Sequence, residues 1–84
     1  MMAYFYKMIG ERIRKLRLYK GYSYREMAVL LDIDEDFVVE LEKGRKRIFV
    51  DCISKVAKIF GVTIDYLVYG NPNGDEWHYH IHEN

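Results

Sequence analysis

With 84 residues the chain has room for one hydrophobic core and not for two. Half of it is hydrophobic, which excludes disorder as its overall state, and a formal net charge of zero gives no global pull toward nucleic acid or membrane. The one cysteine, Cys52, excludes an internal disulfide and fits a reducing compartment.

Apolar residues recur at helical spacing along most of the chain. Phe5, Ile9, Ile13 and Leu16 form one stripe of an amphipathic first helix ending near Gly21. In "SYRE", Ser23 caps the start of a second helix while Glu26 reaches back, and Met27, Ala28 and Leu31 make its buried side. Asp34 is placed to cap a third helix, with Val38 and Leu41 inward, Phe37 at their margin and Gly44 as the stop. Ile53, Val56, Ala57 and Phe60 give the clearest helical face of the chain, ended by Gly61. Thr63 caps a last short helix carrying Ile64, Leu67 and Val68, which Gly70 ends. These observations predict a helical domain over residues 1–70, its N-terminal residues extending the first helix.

The turn-rich "GNPNG" at 70–74 marks the domain edge, and residues 71–84 form a turn and tail. Within the tail "EWHYHIH" alternates in period two, with Trp77, Tyr79 and Ile81 on one side and three histidines on the other. That pattern is strand-like and needs a partner. The N-terminal segment and a second copy of the chain are both candidates; otherwise the tail is frayed. His78, His80 and His82 are not expected to form a metal site. On one strand face neighbours stand about 6.7 Å apart, too far for three ligands near 2 Å from one ion.

The neutral total hides three blocks of alternating sign. Lys7, Arg12, Arg14, Lys15, Arg17, Lys20 and Arg25 are opposed only by Glu11. From Glu26 to Glu42 every charged residue is acidic, and Lys43, Arg45, Lys46 and Arg47 follow. No apolar run reaches bilayer length, and "MMAYFYKMIGERIRK" lacks the order of a secretory signal. A soluble, cytoplasmic protein is therefore expected.

Five short helices with a tight turn between the second and third are a helix-turn-helix layout. From about Ile9 to Gly70 the chain resembles the Cro/CI-type (XRE-type, lambda-repressor-like) helix-turn-helix domain of phage and bacterial regulators. The matching stretches are "IGERIRKLRLYKGYSYREMAVLLDI", "VVELEKGRKR" and "VAKIFGVTIDYLVYG". The resemblance implies an all-α, five-helix repressor-like fold, here with a short C-terminal strand or arm. It implies an ion pair between Arg17 and Glu42 tying the first helix to the third, and sequence-specific double-stranded DNA as the partner.

Two departures from the family pattern fall on its functional surface. Tyr24 stands where a glutamine is usual at the start of the second helix; its hydroxyl can still reach a phosphate. Ile48 and Phe49 replace a usual proline and serine, and either pack under the basic loop or join a protein contact patch.

With Val38 and Leu41 inward, the helical step turns Glu35, Asp36, Val39, Glu40 and Lys43 outward, toward base edges in a major groove. A carboxylate there can accept a hydrogen bond from cytosine N4. Three acids nevertheless oppose the phosphates, whose neutralisation supplies nonspecific affinity. Tyr24, Arg25, Arg45, Lys46 and Arg47 are the residues expected to compensate on the DNA backbone. One short helix reads few base pairs, so a homodimer on paired half-sites is expected, with Trp77, Tyr79 and Ile81 helping to dimerise.

The alternative is a helix-turn-helix that regulates by binding another protein, its acidic third helix facing a basic partner. The opposed charge blocks also allow head-to-tail self-association. Catalysis is not expected: no nucleophile has a plausible base, no glycine loop cradles phosphate, and so small a helical domain offers no obvious pocket. No cofactor is expected either.

Overall fold

The computed structural model describes residues 2–70 and resolves five helices: α1 (Met2–Lys20), α2 (Tyr24–Leu31), α3 (Glu35–Glu42), α4 (Val50–Phe60) and α5 (Ile64–Tyr69). The tail, with the strand expected around Trp77, Tyr79 and Ile81, lies outside the described residues. Among the described residues there is no strand, and no helix is long and apolar enough to cross a membrane.

The helix boundaries follow local chemistry. Ser23 Oγ accepts from the Glu26 amide at 3.0 Å while Glu26 Oε1 accepts from the Ser23 amide at 2.8 Å, closing the capping box. Thr63 Oγ1 accepts from the Tyr66 amide at 2.9 Å and starts α5. Asp34 occupies the cap position of α3, but its side chain makes no cap hydrogen bond. The capping acceptor expected is therefore absent, and the carboxylate is left beside the positive end of the helix. Asp32 ends α2 with φ +58°, the left-handed conformation, which aspartate tolerates better than most residues.

The core joins one face from every helix. Ile9, Ile13, Leu16, Met27, Leu31, Val38, Leu41, Val56, Tyr66 and Leu67 are essentially inaccessible to water. Each fully buried aliphatic side chain contributes about 1.5–3 kcal/mol of transfer free energy. Two assignments differ from the periodic reading. Phe5 is 39% exposed and meets Tyr6 edge to face, because the first turns of α1 run beyond the core. In α5, Tyr66 is buried while Ile64 is 44% exposed, and Val68 packs only at the edge. A six-residue helix has too few positions for its periodicity to define a face. Ile48 and Phe49 divide: Ile48 enters the core and Phe49 stays 62% exposed.

α1 packs against α3 and α5, α2 against α3 and α4, and α4 against α5. Long-range polar bonds secure these contacts. Arg12 Nη1 donates to the carbonyls of Leu67 at 3.1 Å and Val68 at 3.2 Å, capping the C-terminal end of α5. Lys55 Nζ donates to Leu31 O at 3.1 Å, serving the end of α2 in the same way. At Gly10 the α1 backbone lies directly against the last carbonyls of α3. A Cβ there would collide with Leu41 O and come within 2.7 Å of Glu42 O.

Candidate nucleic-acid interface

α2, the Asp32–Asp34 turn and α3 present one helix to solvent and hold its back against the core. Behind it, Arg17 Nε donates to Glu42 Oε2 at 2.7 Å and Nη2 to Glu42 Oε1 at 3.1 Å, a two-pronged bond joining α1 to α3. Arg17 Nη1 also donates to Tyr22 O at 2.9 Å, and its guanidinium carbon lies 4.2 Å from the centre of the Tyr24 ring. The hydrogen bond to Glu42 raises the Arg17 pKa, against the opposing effect of burial. This cluster fixes the roll of α3 about its axis, which decides what the helix can touch. It also gives Tyr24 a role its sequence position did not disclose: one face of its ring supports Arg17.

The outer surface of α3 carries Glu35, Asp36 and, just past its end, Lys43, all exposed; Val39 and Glu40 are half-buried. Asp34, Asp36, Phe37, Val39, Glu40 and Lys46 surround a shallow depression on this surface, so a cation of the following loop borders the acids. On the α2 side, Arg25 Nε stands 3.8 Å from Glu35 Oε1; on the loop side, Arg45 Nη1 stands 3.5 Å from Glu40 Oε2. Two of the three acids are thus each faced by an arginine. Asp36 makes no ion pair among the described residues. Arg47 is exposed at the end of the loop.

The weakness of these pairs matters. Arg25 is 84% exposed and Arg45 62% exposed as side chains, and contacts of this kind contribute roughly 0–1 kcal/mol in water. A phosphate arriving at either arginine meets a cation that is available at small cost. Meanwhile, while the surface is free, the same arginines reduce the negative field of Glu35 and Glu40.

Sequence reading missed the residues that set this geometry from a distance. Gly10 admits the end of α3 against α1, and Arg12 anchors α5. A glycine inside a periodic helix was the available signal for the first. Nothing local marked Arg12 among its basic neighbours.

Known proteins agree with this architecture. A family model described as Helix-turn-helix matches residues 13–67. The chain is 36% identical over 63 residues to the SPbeta prophage-derived uncharacterized HTH-type transcriptional regulator YonR of Bacillus subtilis, covering 75% of this chain and 58% of that protein. It is 28% identical over 69 residues to control protein C.BamHI of Bacillus amyloliquefaciens, covering 76% and 85%. The crystal structure of the restriction-modification controller protein C.AhdI from Aeromonas hydrophila superimposes with a TM-score of 0.66 at 30% identity, covering 73% of this chain and 92% of that one. The chain thus spans little more than half of the YonR sequence but most of the two controllers. With its fold, its helix order and these relatives in agreement, the chain belongs to the helix-turn-helix family of the XRE/Cro type.

Proposed function

We propose that this chain regulates transcription by binding specific double-stranded DNA, with α3 in the major groove. The observation that carries the reading is the arrangement around α3. Arg25 flanks it on one side and Arg45 and Lys46 on the other, so cations bracket the carboxylates. In this reading Glu35, Asp36, Val39, Glu40 and Lys43 face base edges, and Tyr24, Arg25, Arg45, Lys46 and Arg47 hold the backbone. Asp36 and Glu40 select cytosine through its N4 amino group. An eight-residue reading helix covers few base pairs, which supports a homodimer on two half-sites. Dimerisation through Trp77, Tyr79 and Ile81 remains part of this proposal. The relatives named as regulators favour DNA over a protein partner at α3.

Selection from a pool of random duplexes, followed by titration at two salt concentrations, tests the reading. Wild type should enrich a defined site. Asp36→Ala with Glu40→Ala should relax that preference. If the double variant merely tightens binding to every duplex, the acids only repel phosphate and their reading role fails. If wild-type protein at micromolar concentration retards no duplex at low salt, DNA binding itself fails.

A further inference from the structure

A second charged surface lies beside the reading helix, where α1 meets the connection from α3 to α4. Lys7, Glu11, Arg14 and Lys15 of α1 line one wall of a groove, and Lys43 and Arg45 line the other. Glu42 also borders it, but its carboxylate is bound by Arg17 on both oxygens. Five cations thus line the groove together with the carboxylate of Glu11, within a chain of zero net charge, and one of them, Arg45, also stands 3.5 Å from Glu40 Oε2. The walls are held together by backbone contact, not by side chains alone. Gly44, at φ +73°, packs on the Lys7 backbone so closely that a Cβ there would collide with Lys7 Cα and lie 2.7 Å from its amide nitrogen. About one helical turn along the seam from Lys7, Gly10 meets the carbonyls of Leu41 and Glu42. The groove is thus as fixed as the helix pair that forms it.

We infer that this groove is a phosphate track, taking the backbone of the same duplex that α3 reads, outside the base pairs α3 contacts. The inference rests on the DNA-binding reading above. Lys43 and Arg45 belong to both surfaces: they line the groove and also stand at the end of α3. A strand held by that connection continues onto α1. Lys7 and Arg14 are two helical turns apart, about 10.5 Å along the axis, and address different phosphates. Glu11 lies between them and limits how tightly the track holds any duplex.

The test compares wild type, Lys7→Ala with Arg14→Ala, and Glu11→Gln on the selected duplex and on an unrelated one, each across a salt series. Lys7, Glu11 and Arg14 are exposed, and alanine is a good helix former; circular dichroism checks that the variants fold. Each phosphate contact contributes about 0.9 to the slope of log affinity against log salt. The double variant should therefore show a slope shallower by about 1.8 on both duplexes, with the preference between them unchanged. Glu11→Gln should tighten binding to both. A folded double variant with the wild-type slope on duplexes that wild type binds overturns the inference and leaves the DNA-binding reading standing. So does a double variant that loses only binding to polyglutamate, which would assign the groove to an acidic protein. Failure of wild type to bind any duplex overturns both.

Discussion

Replacing Glu42 by glutamine keeps the side-chain shape and removes the charge that faces Arg17. In the native state Arg17 is 5% exposed and Glu42 3% exposed, so water cannot take the place of the lost partner. The bonds affected are the two at 2.7 and 3.1 Å. Removing one member of a buried ion pair costs about 3–5 kcal/mol, mostly because the other charge stays buried. Arg17 retains the Tyr22 carbonyl at 2.9 Å and the Tyr24 ring at 4.2 Å, which sets the expected loss at the lower end, about 3 kcal/mol. For a domain this small that corresponds to a Tm drop of roughly 12–24 °C. Urea unfolding followed by circular dichroism should show a large fall in midpoint at unchanged slope. Arg17→Met with Glu42→Leu should recover most of the loss, since apolar replacement of a buried pair is often neutral or stabilising. The Arg17 pKa is raised in the folded state. Its contribution is therefore complete below the unfolded value and lost only as pH climbs through the still higher folded one. Both lie above the range of ordinary assays, so Arg17 adds no pH dependence near neutrality. A Glu42→Gln variant within 0.5 kcal/mol of wild type (about the scatter of surface substitutions) would refute the assignment of this pair as the tie between α1 and α3.

Two further substitutions examine the packing. Gly10→Ala gains about 1 kcal/mol of helix propensity but drives a Cβ into Leu41 O and to 2.7 Å from Glu42 O, so a net loss of about 1–2 kcal/mol in urea unfolding is expected. Burial raises the pKa of the Cys52 thiol, with Lys55 opposing. Native protein should therefore react with iodoacetamide more slowly than unfolded protein at mildly alkaline pH. Because the folded pKa is the higher, stability should fall as pH rises from the ordinary thiol value through the raised one. Cys52→Ala should flatten that decline in urea midpoints.

Much of the fold is legible because helix-forming information is local. Ser23 and Glu26 are three residues apart, and their reciprocal hydrogen bonds need nothing beyond one turn. The buried side of α2 (Met27, Ala28 and Leu31) and that of α4 follow from spacing alone. Where a helix is short or runs past the core, the same rule fails, as Phe5 and Ile64 illustrate. The candidate site divides likewise. The helical step turned Glu35 and Asp36 to solvent, but whether cations face the acids depends on loop geometry that no periodicity encodes. Only the folded chain brings Arg25 to Glu35 and Arg45 to Glu40.

By itself the sequence determined five helices, the Ser23 and Thr63 caps, the glycine stops, most of the buried faces and the acidic character of α3. Each is settled by interactions within a turn or two, whose energies depend on neighbours along the chain. Tertiary structure decided the rest: the Arg12 cap on α5, the approach of α3 to Gly10, and the meeting of Lys7 with Gly44 that opens the basic groove. Those contacts join residues more than thirty positions apart. They are selected by how five helices share one core, and that choice is global.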